Sequence, residues 1–325
     1  MLKIFLAFAI SCTVVIGQCP TPASAQEWPT RTVRLLIGFG PGGGTDIVAR
    51  ILAQSFQEKF GQPFVVENRP GAAGALAADA VAKAPADGHT LYLMNNGHII
   101  AGVMAKSLPY DTLTSFEPIG QVASAGLIIV THPDFPANNV RELVAAAKAA
   151  PGKFTYATTG VGSTQHFTGE LFKQVAGIDM LHVPYKTSPA GIGGVLGKQV
   201  DLLVETVSAV LGQVQGKTLK ALAVTGLERF PAVPDVPAAV ESGVVPGYEV
   251  VTWYGLIAPR GTPAPIITKL NAAINDAIAN PAVREKLTTA GVLAGGSSPS
   301  DFGKHMQAEF VRWGKVREAA KIPQN

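Results

Sequence analysis

Hydrophobic positions along this chain fall into two alternating periods. Short aliphatic, β-branched runs bounded by turn residues at 32–39, 64–67 and 90–94 read as buried strands. Between them Ile47, Val48, Ile51, Leu52 and Phe56 share one face of a helix over 45–60 that Gly61 ends, and small residues form a second helix over 71–84. Past Gly120 the alternation resumes, with strands predicted at 127–131, 155–158, 200–204 and 221–225. Helices are predicted at 140–149 and 165–175, the second with Phe167, Leu171 and Phe172 on one side. Pro231, Pro234, Pro237 and Pro246 mark a turn-rich connection. A strand at 250–258 and helices at 265–279, 282–290 and 299–319 complete the chain.

Strand, helix, strand at this spacing places the chain in the α/β class, with covered sheets. The expected architecture is two lobes, each a mixed, mostly parallel sheet flanked by helices. One lobe takes residues 26–125 plus about 249–325, whose last helices brace it and touch both lobes, and the other takes 126–248. Crossovers near 124–131 and 246–253 would then form the hinge.

The first 25 residues depart from this pattern. Lys3, apolar runs at 4–10 and 13–17, and the triplet Ala23-Ser24-Ala25 read as an export signal cleaved after Ala25. The apolar stretch is shorter than the ~20 residues that span a bilayer. A periplasmic location is therefore expected. Both cysteines, Cys12 and Cys19, lie within this signal, so the mature core is expected to hold without disulfides. The 26 basic and 23 acidic residues nearly balance and form no stripe, which argues against a nucleic-acid partner.

The chemistry concentrates in two loops. Residues 33–46, VRLLIGFGPGGGTD, run from a strand through Gly42, Gly43 and Gly44 into a helix opening at Thr45-Asp46. Glycines let backbone approach a ligand, and the first amides of a helix carry unsatisfied donors at the positive end of its dipole. Together they make an anion site without a basic side chain. Residues 155–164 repeat the design: a strand, then Thr159, Gly160, Val161, Gly162, Ser163 and Thr164, then a helix. One such loop in each lobe would grip a carboxylate across a cleft.

Other chemistries have partial signals. Gly38-x-Gly40-x-x-Gly43 is formally a dinucleotide fingerprint, with Glu67 where a ribose-binding acid would sit. Pro41 stiffens that loop, and exported compartments keep no nicotinamide pool. Ser163 and His166 lack a nucleophile elbow, so capping by Ser163 is the better reading. His166 and Glu170 are spaced for a metal but have no further ligands nearby, and neither metal nor cofactor is expected.

An ordered set of motifs resembles one family, the Bug-type receptors of tripartite tricarboxylate transporters, a branch of the type II periplasmic binding proteins. The set includes Trp28-Pro29, VRLLIGFGPGGGTD (33–46), VVENRPGAAG (65–74), APADGHTLYL (84–93), LPYD (108–111), VPYK (183–186), GKQVDLL (197–203), PDVPAAVESG (234–243) and TWYGLIAPRGTP (252–263). It spans essentially the whole mature chain. The resemblance implies a Venus flytrap that closes on a small organic acid and delivers it, as a monomer, to large and small membrane subunits. A sensor handing the same ligand to a signalling partner is the alternative. The resemblance puts the ligand among Phe39, Gly42, Gly43, Gly44, Thr45 and Asp46 of the first loop and Thr159, Gly162, Ser163 and Thr164 of the second. Asn95 after the third strand also faces the expected cleft. Glu205 stands where the family pattern leads one to expect Asp, which makes it a candidate specificity residue. An inward Glu205 would disfavour a second ligand anion beside it.

Overall fold

The computed structural model describes residues 28–319 and 322–324. The export signal and both cysteines lie outside the described residues. The first half of the chain runs β1 (Val33–Ile37), α1 (Gly44–Phe60), β2 (Phe64–Asn68), α2 (Ala75–Ala82), β3 (Thr90–Asn95), α3 (Asn96–Met104) and β4 (Phe116–Thr131). Then come α4 (Val140–Ala149), β5 (Thr155–Thr158), α5 (Thr164–Ala176), β6 (Leu181–Pro184), α6 (Ser188–Leu196), β7 (Leu202–Thr206), α7 (Val207–Gln215) and β8 (Lys220–Val224). The chain ends with β9 (Val251–Pro259), α8 (Ala264–Ala279), α9 (Pro281–Thr289), β10 (Leu293–Ala294) and α10 (Pro299–Ala319).

Two strand sets share β4. In the first, β2, β1 and β3 are parallel, β9 runs antiparallel to β3, and the first half of β4 runs antiparallel to β9. In the second, β6, β5 and β7 are parallel, and the last residues of β4 lie antiparallel between β7 and β8. The changeover is abrupt: Gly126 pairs with Val251 of β9, and Leu127 pairs with Thr206 of β7. Thr225 ties the two crossing segments together. Its N–H donates to Leu127 O, its hydroxyl to Val250 O at 2.6 Å, and its carbonyl accepts from Val250 N–H.

Strand alternation sorts the core into layers. Val33, Leu35 and Ile37 of β1 bury against Val48, Leu52 and Phe56 of α1 and Leu270 and Ile274 of α8. Leu36 points to the opposite face. There one continuous cluster runs from Tyr92 and Met94 past Phe302 and Trp313 of α10 to Leu127, Ile129, Tyr156 and Phe167. Ile128 and Val130 enter the third layer with Leu203, Val207 and Val210. The α10 helix reaches both strand sets, since Trp313 packs edge-on against Phe167 of α5 at 5.9 Å.

Several sequence expectations change in detail. The helix predicted over 71–84 is a short turn at Ala72–Gly74 followed by α2, because Gly71, Ala72, Ala73 and Gly74 all take positive φ. The strand predicted at 127–131 is the end of the 16-residue β4. Helices α3, α6 and α7 and strand β6 are additional.

Candidate functional site

Five strands of the two sets, β1, β3, β5, β6 and β7, turn at their carboxyl ends into α1, α3, α5, α6 and α7. The residues at these five junctions line one cavity of about 20 Å³. The first lobe supplies Phe39, Gly40, Gly43, Gly44 and Thr45 from the α1 start and Asn95 from the α3 start. The second supplies Thr159 and Gln165 around the α5 start, Lys186, Thr187 and Ser188 at the α6 start, and Thr206 at the α7 start. A wider vestibule of about 680 Å³ lies alongside, and Phe39, Thr159 and Lys186 line both spaces. Sites beyond the carboxyl ends of parallel strands are the general rule for open α/β sheets. Here five positive helix ends add to one another.

The caps show which amides are left for a ligand. Asn95 accepts from Gly97 N–H, Ser163 from His166 N–H and Thr187 from Ala190 N–H, so α3, α5 and α6 satisfy part of their own termini. The α1 and α7 helices have no side-chain cap. Lys186 is exposed and has no ion-pair partner among the described residues.

Six residues named from sequence line this cavity: Phe39, Gly43, Gly44, Thr45, Asn95 and Thr159. Asn95 Nδ2 donates to Thr45 Oγ1 at 3.1 Å, fixing the two together. The other six lie beside it. Gly42 and Gly162 take φ of 81° and 78°, and each approaches the opposite lobe, Gly42 at Pro189 and Gly162 at Ala73. Asp46 is committed elsewhere: its carboxylate accepts from Arg50, Asn68 and the Gly42 N–H. Burial acts to raise its pKa, but those bonds outweigh it and hold it below the ordinary 3.8. Ser163 accepts from His166 N–H and donates to Gly160 O, which uses its hydroxyl within the loop. Thr164 is buried one residue before Gln165. Glu205 is fully buried beneath the cavity floor, where its Oε1 accepts from Gln165 Nε2, Thr206 N–H and the Thr206 hydroxyl, and the Ser188 hydroxyl lies against its carboxyl group. Burial pushes its pKa up, against those bonds.

Gly40, within the glycine loop read from the sequence, also lines the cavity, as do Gln165, Lys186, Thr187, Ser188 and Thr206, which were not named as ligand contacts. The available signal for the α6 start was Thr187-Ser188-Pro189, a cap followed by proline. The remaining motifs resolve as structure. Glu67 is clasped by Arg34 through bonds of 2.6 and 2.8 Å, so its carboxylate is not presented to a ribose. Of the segment after β3 only Asn95 faces the cavity. Asn96 turns to the start of β9, and His98 packs against Tyr92, Tyr110 and Phe116.

Histidines support the second loop from below. His166 Nδ1 accepts from Gly162 N–H, His182 Nε2 meets the Thr158 hydroxyl, and the two rings stack at 4.2 Å. Burial lowers the pKa of both, His182 to about 3, and lowers that of His98 to about 4. These rings stay neutral in the folded protein below 6.5, where the unfolded chain takes up protons. Stability is therefore fully present above pH 6.5 and falls on acidification toward the folded values. Thermal midpoints measured from pH 7 to pH 4 are expected to decline throughout. A midpoint that rises on acidification would contradict neutral, desolvated rings.

A family model described as tripartite tricarboxylate transporter family receptor matches residues 48–322. The chain belongs to this family. Among curated relatives, Protein BugT of Bordetella pertussis is 36% identical over 96% of this chain and 97% of its own. A protein from the tcbD–tcbE intergenic region of Pseudomonas sp. strain P51 is 35% identical over 90% of this chain and 87% of its own. Among solved structures, an R. palustris protein with adipate has a TM-score of 0.88 at 35% identity, covering 91% of this chain and 99% of its own. The periplasmic binding protein BugD scores 0.87 at 34% identity, covering 92% and 100%. MatC from Rhodopseudomonas palustris, with bound malate, scores 0.84 at 33% identity, covering 89% and 99%. The fold is thus that of two-lobed solute-binding receptors, and the family is one of receptors rather than enzymes. No helix among the described residues is long and apolar enough to cross a membrane.

Proposed function

We propose that this receptor is exported to the periplasm, captures a small organic carboxylate between its lobes and delivers it to the membrane subunits of a tripartite transporter. The observation that carries the reading is the convergence of five helix N-termini from both lobes on one cavity, with Lys186 at its entrance. Such a site favours an anion through backbone amides, and the lysine adds a charge-assisted bond. The adipate and malate bound by its relatives are anions of this kind.

A cavity of about 20 Å³ holds about one water, so a small acid enters only when the lobes part. The two crossing segments, Gly126–Leu127 and Val250–Val251, joined by Thr225, are the pivot in this reading.

Thermal-shift titration of residues 26–325 with mono-, di- and tricarboxylates, amino acids, aromatic acids and nicotinamide dinucleotides tests it. One class of small acid is expected to stabilise the protein, by about 2.7 kcal/mol at a hundredfold excess over Kd. Lys186→Met is expected to weaken that acid about tenfold, the share of one charge-assisted bond at an exposed entrance. A shift with dinucleotides only would overturn the reading.

A further inference from the structure

We propose that Gln165, held in one orientation by Glu205, reads a hydrogen-bond donor on the ligand. The substrate class is then a small carboxylic acid that also carries a hydroxyl or ammonium group, rather than a plain fatty or dicarboxylic acid. The inference rests on the acid-receptor reading above and names the chemistry of that same site.

The argument starts from a group with no choice of role. The Thr206 backbone N–H can only donate, and it meets Glu205 Oε1 at 2.7 Å. That oxygen therefore accepts. Gln165 Nε2 donates to the same oxygen at 2.8 Å, so its NH₂ is turned toward Glu205. Its carbonyl Oε1 is then fixed on the other side of the amide. This oxygen is buried, and it has no hydrogen-bond partner among the described residues. Gln165 is 6% exposed and lines the cavity.

A buried amide oxygen without a donor costs free energy, and a ligand N–H or O–H removes that cost. A methylene or a second carboxylate at the same point would leave it in place, and the carboxylate would add repulsion. Thr159 Oγ1, also buried, unpartnered and lining the cavity, is a hydroxyl able to donate. It can serve the ligand carboxylate together with Lys186 and the helix amides. The cavity thus offers donors over most of its wall and a fixed acceptor at Gln165.

Calorimetric titration of residues 26–325 with matched acids tests this: propanoate, lactate and alanine; butanoate, 4-hydroxybutanoate and 4-aminobutanoate; succinate, malate and aspartate. In the set that fits, the donor-bearing acid is expected to bind at least about tenfold tighter than its parent, the usual effect of leaving a buried polar group unpaired. Gln165→Met is expected to bring that ratio close to one by weakening the donor-bearing acid only. Glu205→Gln keeps a carbonyl oxygen for the Thr206 N–H and the Gln165 NH₂, and is expected to preserve the ratio. Equal binding of parent and donor-bearing acids by the wild-type protein would overturn the assignment without any variant. So would a Gln165→Met protein that weakens both alike. If acids bind without this preference, the receptor reading survives and this inference fails. If no acid binds, both fail.

Discussion

Replacing Glu309 by leucine is expected to cost about 3–5 kcal/mol of stability, a large share of what a folded domain has. Glu309 is 6% exposed on α10. Its Oε2 accepts from three buried donors: Asn96 Nδ2 at 3.1 Å, Trp253 Nε1 at 3.0 Å and Trp313 Nε1 at 2.9 Å. Its Oε1 takes Arg312 at 3.2 Å. Leucine would fill the volume but leave both indole N–H groups without an acceptor, at about 1–3 kcal/mol each before relaxation, and Asn96 Nδ2 with Val251 O alone. The loss would fall beside the crossing segments. Asn96 also accepts from Trp253 N–H and the Thr252 hydroxyl, and so fixes the start of β9 where the chain returns from the second lobe. Glu309→Gln keeps one acceptor oxygen and is expected to cost less. Denaturant unfolding of both variants checks the order. A leucine variant within about 1 kcal/mol of the parent would show that the cluster reorganises around the loss.

What the sequence revealed of the fold depended on contrast between buried and exposed faces. Helix α1 and the three C-terminal helices α8, α9 and α10 lie near their predicted ranges because each has a polar face, and Gly61, Pro281 and Pro299 punctuate them. Helix α3, NGHIIAGVM, is buried on almost every side, and α6, SPAGIGGVL, is small and apolar all round. Neither presents a polar stripe, so neither carries the 3.6-residue signal. The first half of β4 was hidden by Pro118 and Gly120 and by two register shifts against β9.

The same blindness limited the site. Lys186, Thr187, Ser188 and Thr206 line the cavity from the starts of α6 and α7, and helices not seen in the sequence have no visible N-termini. The glycine loop at 40–44 and the threonine loop at 159–164 were legible because glycine runs before a helix have few other uses. For Asp46 and Glu205 residue type could not say which way the carboxylate turns. One is engaged by Arg50 and Asn68, and the other orients Gln165 from beneath the floor.

Gly40→Val is expected to weaken ligand binding at least about 100-fold, or about 2.7 kcal/mol, while leaving the unliganded protein nearly as stable as before. A Cβ at Gly40 would fall 2.6 Å from Thr187 Cγ2, and the other atoms near it, Lys186 O and Thr187 Cβ, also belong to the second lobe. Gly40 is not among the positive-φ residues, so its own lobe can accept a side chain there. The clash arises only when the lobes meet, and valine therefore opposes closure rather than folding. In the proposed function closure brings the two sets of helix ends onto one ligand, so affinity is expected to fall although every anion-binding amide remains. The sharper form of the experiment uses a smaller pair. Gly40→Ala introduces the clashing carbon alone. Thr187→Ser removes the methyl it strikes but keeps the hydroxyl that caps α6 by accepting from Ala190 N–H. The double variant is expected to bind better than Gly40→Ala, a coupling that independent sites would not show. Calorimetry with the acid found by thermal shift gives the affinities, and small-angle scattering shows whether ligand still compacts each variant. Undiminished affinity in Gly40→Val would mean that the ligand is held without this approach of the lobes.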